Sequence, residues 1–163
     1  MATIGLSLTA NVVSAFIGKQ ILGQAISDAS GKIYGSISSI FNYNSKIDDI
    51  IKQLDIYERI KTIDLLIKDI DECNDTITNC LTGIHEIILN IREDLKQIDV
   101  RIKDHKQKYF AGWRKISCNT QLKSLRTNSI LLEKRFDYLL KALEINKYNV
   151  VKKPKTENLL TNN

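Results

Sequence analysis

The side chains with the greatest chemical range in this sequence are two histidines, His85 and His105, and three cysteines, Cys73, Cys80 and Cys118. Cys80 and His85 stand five residues apart, a separation that fits no zinc spacing, and no second ligand pair accompanies them. An odd number of cysteines without a framework spacing reads as free thiols in a reducing, cytoplasmic setting. Asn74-Asp75-Thr76 is a formal glycosylation sequon, but no signal peptide is predicted to accompany it, since residues 1–18 have neither a basic leading region nor a small-residue cleavage site. Nucleophile-elbow, phosphate-loop, dinucleotide and HExxH motifs are all absent from the sequence. The carboxylates are dispersed and adjoin lysines, as on a solvated helix face. The expectation is therefore a protein with no catalytic site, no metal, no cofactor and no small-molecule substrate.

A different chemistry is offered by Lys106, Lys108, Tyr109, Phe110, Trp113, Arg114 and Lys115, which surround Gly112. Cations interleaved with aromatic rings suit anionic lipid headgroups, and they also suit stacking on single-stranded nucleic acid. Alternatively, the rings plug the end of a bundle and the charges solubilise it. Charge is uneven along the chain: net +1 over residues 1–43, −5 over 44–105 and +9 over 106–163. The overall +5 is thus a poor descriptor of either half.

Those residues need elements to position them, and the elements read as helices. The 163 residues include one proline, Pro154, and seven glycines, which leaves few obligate turns. Isoleucine is abundant, with 25 residues, and lysine and asparagine are also frequent, a composition typical of AT-rich genomes such as those of protists or large DNA viruses. Three units are expected: an apolar N-terminal helix in 1–43, a helical bundle or coiled coil in 44–148, and a disordered basic tail in 149–163.

The first unit, from about Thr3 to Phe41, has large apolar residues near a 3.6-residue period. Val12, Val13, Phe16, Ile17, Ile21, Leu22, Gly31 and Gly35 are its candidate membrane-contact residues. Small residues recur at fours, Ser27, Gly31, Gly35 and Ser39, and predict close approach of a neighbouring backbone along one stripe. The stretch is too polar for a confident transmembrane span, so an interfacial helix and a packed helix pair are the two readings.

The second unit carries the strongest pattern. Ile56, Ile63, Ile70, Ile77, Ile84, Ile91 and Ile98 recur every seven residues, with Ile60, Ile67, Asn74, Leu81, Ile88, Leu95 and Ile102 each four residues after one of them. This 4-3-4-3 spacing is a heptad seam and marks helix–helix packing. One arrangement is a single helix over 45–108 that self-associates as a trimer or tetramer, with Asn74 fixing register. The other, preferred, is an antiparallel hairpin of helices 45–73 and 76–108 turning at Cys73-Asn74-Asp75-Thr76, because Asn, Asp and Thr cap better than they propagate. Ser45-Lys46-Ile47-Asp48 resembles a capping box at the start. After a break at 106–119, Leu122, Leu125, Ser129, Leu132, Phe136, Leu139 and Leu143 predict a last helix over about 120–146.

The layout resembles a known family. A Gly/Ser-containing apolar first helix, a long Ile/Leu hairpin, the Gly112-Trp113-Arg114-Lys115 segment and a final helix ending in Phe136-Asp137-Tyr138-Leu139-Leu140-Lys141-Ala142-Leu143 are similar to the HeLo-like and SesA-type helical bundles. The resemblance spans about 140 residues at the level of pattern and implies that residues 3–26 target a membrane while a basic surface recruits anionic lipid. The functional expectation is a non-enzymatic helical bundle that binds membranes or self-assembles, cytoplasmic or peripheral to a membrane. The alternatives are a scaffold component, possibly of a virion, and a nucleic-acid-binding helical protein.

Overall fold

The computed structural model describes the backbone of residues 4–71, 73–108 and 116–152, and the side chains of 18–71, 73–108 and 116–148. Five helices fill these residues: α1 Ile4–Ile40, α2 Ser45–Gln53, α3 Ile56–Lys68, α4 Asp75–Lys106 and α5 Asn119–Lys152. They form four arms, with α2 and α3 sharing the second. The fold is an all-α bundle around one apolar core.

Each arm ends for a local reason. α1 stops where Asn42 adopts a left-handed backbone, φ 69°, a conformation Asn tolerates better than most residues. The next helix is capped by Asn44, whose side chain accepts from the Lys46 and Ile47 amides. The cap therefore lies one residue before the Ser45 expected, and Asp48 accepts from the Asn42 amide at 3.0 Å instead of returning to Ser45. Asn74 caps α4 by accepting from the Ile77 amide at 2.9 Å. It is a helix start and not a register-setting seam residue.

The second arm departs from the single helix expected over 45–73. It breaks at Leu54-Asp55, where Asp55 has φ 50°. The cause is a phase conflict between two apolar stripes. Ile47 and Ile51 form one buried row, and Ile56, Ile60, Ile63 and Ile67 form another. In a continuous helix the five-residue step from Ile51 to Ile56 would rotate the second row by about 140°. The break lets both rows face the core.

The chain then reverses between Asp69 and Asn74, which removes the uninterrupted 45–108 rod. The two arms of this reversal are antiparallel but not neighbours. The close helix pairs are α1 with α4, α4 with α5, and α1 with α3. The second arm also meets α5: Arg59 of α3 donates to Glu133 at 2.9 Å, and the Ser129 hydroxyl donates to the carbonyl of Leu54, at the break between α2 and α3, at 3.3 Å. α3 and α4 thus face each other across the core, with α1 on one side and α5 on the other. α1 and α4 run parallel, with Ser39 donating to Asp99 at 2.6 Å, sixty residues further on.

All thirteen apolar seam residues, Ile56, Ile60, Ile63, Ile67, Ile70, Ile77, Leu81, Ile84, Ile88, Ile91, Leu95, Ile98 and Ile102, are buried in this core, none more than 4% exposed. Ile26, Ile33, Ile37 and Ile40 of α1 meet them from one side, and Leu125, Leu132 and Leu139 of α5 from the other. A fully buried side chain of this size contributes about 1.5–3 kcal/mol, so the seam dominates the stability of the fold.

Candidate functional site

Because the seam is consumed within one chain, the residues left for a partner lie at the ends and on the outer faces. The two ends differ in construction. At the end where α1 meets α2 and α4 meets the following segment, Tyr43 and His105 share a hydrogen bond, and the Lys106 ammonium lies 4.9 Å from the Tyr43 ring centroid. Asp48 is 92% hidden from solvent and holds the Asn42 amide through one carboxylate oxygen. Polar groups pin this end closed.

At the opposite end the helices do not finish together. The sixty-residue offset between α1 and α4 sets the first residue of α4, Asp75, level with residue 15 of α1. α3 has already ended, because Gly23 meets Ile67 and Lys19 bonds the Ile70 carbonyl. About three turns of α1, residues 4–14 and some 16 Å long, therefore run past both α3 and α4. Those turns carry no charged residue. The same end exposes Ile21 to 64%, Ile145 to 60% and Tyr148 to 63%, with Lys141 and Lys147 exposed among them.

Of the membrane-contact candidates, Ile21 is exposed and Leu22 packs partly against the core. The side chains of Val12, Val13, Phe16 and Ile17 lie outside the described residues, although their backbone is helical. Gly31 and Gly35 are exposed, and a Cβ at either would meet nothing within 4 Å. Their stripe is thus not the close helix contact that its spacing suggests. That contact is at Gly23, where a Cβ would come 3.3 Å from Ile67 Cγ2. Fours-spacing identifies small residues without identifying which of them a neighbour touches.

Of the basic–aromatic residues, Lys106 and Lys108 are exposed at the closed end, while Tyr109, Phe110, Trp113, Arg114 and Lys115 lie outside the described residues. The flanks of that segment, Lys108 and Ile116, place its attachment the length of α4 away from the start of that helix, about 48 Å for 32 residues. The uncharged turns of α1 and the exposed Lys106 and Lys108 therefore lie at opposite ends.

Two titrating groups carry clear signatures. Burial pulls the Asp99 carboxyl upward. Hydrogen bonds from Lys103 and Ser39, and the charges of Lys103 and Lys106, outweigh it and hold Asp99 below its ordinary value. Burial pushes the Cys118 thiol up against the opposing charge of Arg101. Among the described residues no group of three or more His, Cys, Asp or Glu side chains is placed to hold a metal ion. Nor is any helix among them long and apolar enough to cross a membrane.

No family model and no solved structure matches the sequence. A protein of Acanthamoeba polyphaga mimivirus, uncharacterized protein L717, is 30% identical, over 82% of this chain and 77% of its own length. Shared identity over that much of both chains covers the bundle and not a single helix, and this chain belongs to the same family as mimivirus protein L717.

Proposed function

We propose that this protein is a non-enzymatic helical bundle that docks end-on at an anionic membrane surface, with the leading turns of α1 as its apolar contact. The observation that carries the reading is the open end: an uncharged helical overhang beside exposed Ile21, Ile145 and Tyr148, with lysines close by. A helix of this kind lies in the headgroup region through its apolar residues, which carry the contact, because Lys68, Lys141 and Lys147 at this end are offset by the exposed carboxylates Asp69, Asp71, Asp75 and Glu144. The likeness to HeLo-like bundles, in which the first helix targets the membrane, supports the same reading. Co-sedimentation with anionic vesicles at low salt tests it. The wild-type chain binds, and the double variant Val12→Asp/Phe16→Asp loses at least tenfold in partitioning. Undiminished binding by that variant sinks the reading.

A second reading, assembly through a partner helix as in a viral scaffold, is favoured by the outer face of α5. Leu131, Tyr138 and Ile145 stand there at seven-residue spacing, exposed to 41, 55 and 60%. Sedimentation equilibrium separates the two. A monomer at micromolar concentration removes self-assembly, and a defined oligomer dissociated by Tyr138→Lys supports it.

A further inference from the structure

A second surface lies on the flank of the bundle, more than 20 Å along α1 from the overhang. There α1 and α4 enclose an open groove of about 550 Å³. Its α4 wall is Arg92, Lys96, Asp99 and Lys103, a 4-3-4 row along one helix face. Its α1 wall is Lys32 followed by the small residues Gly35, Ser36 and Ser39. Because the helices are parallel and offset by sixty residues, Lys32 stands level with Arg92, Ser36 with Lys96, and Ser39 with Asp99.

The two halves of this groove are balanced differently. In one, Asp99 receives Lys103 at 2.6 Å and the Ser39 hydroxyl at 2.6 Å, so charge is compensated. In the other, Lys32 and Arg92 face each other from adjacent helices with no carboxylate within bonding distance among the described residues. Lys96 beside them has only the exposed Glu93 at 3.7 Å. Like charges placed level across a helix pair repel, and the fold gains nothing from them unless a counter-charge sits between. The cluster also interrupts a stretch, residues 44–105, whose net charge is −5. Gly35 adds a separate sign. A mid-helix glycine costs about 1 kcal/mol against alanine, and here no neighbour requires its small size. A floor of glycine and serine leaves the wall between the cations low, so a ligand reaches the guanidinium and both ammonium groups at once.

We propose that this groove binds a multiply charged phosphate anion, with Lys32 and Arg92 clamping it from opposite walls and Lys96 beside them. Arginine supplies a planar fork that matches phosphate oxygens, and the lysines supply mobile point charges. Two or more phosphates on one ligand are needed to satisfy three cations. Free oligophosphates and polyphosphorylated lipid headgroups share that chemistry.

Isothermal titration of the full chain with inorganic tripolyphosphate, at low and at physiological salt, tests the proposal. The expected result is saturable 1:1 binding that weakens with salt. It weakens at least tenfold in Lys32→Gln/Arg92→Gln and at least tenfold in Gly35→Glu, which places a carboxylate in open space between the walls. The control Lys123→Gln/Arg126→Gln removes the same charge from α5 and leaves binding within twofold. Equal loss in both double variants reduces the effect to net charge and overturns the proposal, as does an absence of binding to both tripolyphosphate and vesicles that carry a polyphosphorylated inositol lipid. Binding to those vesicles alone, lost in Gly35→Glu, assigns the site to a headgroup. Tripolyphosphate binding that survives Val12→Asp/Phe16→Asp separates this site from the proposed membrane contact of the leading α1 turns.

Discussion

The two ends of this bundle are built by opposite means. At the closed end, Asn44 and Asp48 hold three backbone amides between them, and Tyr43 meets His105 and Lys106. At the open end, α1 outruns α3 and α4, and large apolar side chains stand in solvent. Polar side chains define the geometry of one end, while the other keeps apolar surface that the core does not use. The contrast separates stability from the proposed contact: a substitution at the closed end is felt by the fold, and one at the open end should be felt by the proposed membrane contact and little by the fold.

Four measurements sharpen or break that contrast. The largest effect belongs to the shared core between the ends. Ile84, fully buried, should cost more than about 4 kcal/mol when changed to Asn, because a cavity and an unpaired amide arrive together. Urea unfolding followed by far-ultraviolet circular dichroism reads this loss as a single transition. Next is Asp48→Ala at the closed end, which leaves the Asn42 amide without its acceptor and should cost about 1–3 kcal/mol. A loss below 0.5 kcal/mol, on the order of an ordinary surface change, would erase the distinction between the ends. Ile21→Asp with Ile145→Asp at the open end should stay within about 0.5 kcal/mol of wild type in the same assay, while vesicle partitioning falls several-fold. The smallest effect is Gly31→Ala on the exposed face of α1, which should stabilise by up to about 1 kcal/mol.

Acid titration adds a check on the flank between the ends. The folded Asp99 carboxyl lies below its ordinary value of 3.8. Its contribution is therefore complete above that value and disappears as pH falls through the lower, folded one. Asp99→Asn should flatten the acid limb of the stability profile below about pH 4 and leave the neutral region's slope unchanged.

The sequence announced much of this architecture and hid a specific part of it. The seven-spaced isoleucines placed every seam residue in the core, and Asn74 stopped the seam where the chain reverses. The break at Asp55 was written in the five-residue step from Ile51 to Ile56, a signal that a search for continuous heptads passes over. The diagonal placement of α3 and α4 was not legible, because an apolar stripe states which face is buried and not which helix covers it. For the same reason the GxxxG step looked like a contact, while the helix that comes close does so at Gly23. The α1–α4 groove was half visible: the row from Arg92 to Lys103 lies in the sequence, but its partner Lys32 is sixty residues away. The overhang depended on the same offset. Periodicity gave the length of α1, and only the register with α4 revealed that its first turns run past α3 and α4.

The parallel pairing of α1 with α4 also governs how the chain is born. At a synthesis rate of about 5–20 residues per second, the helix that will cover one flank of α1 emerges some 3–12 seconds after it. During that interval only the short α2 and α3 are present to shield Ile26, Ile33, Ile37 and Ile40. Translation slowed between codons 45 and 105 would lengthen the time for which those isoleucines wait for their cover.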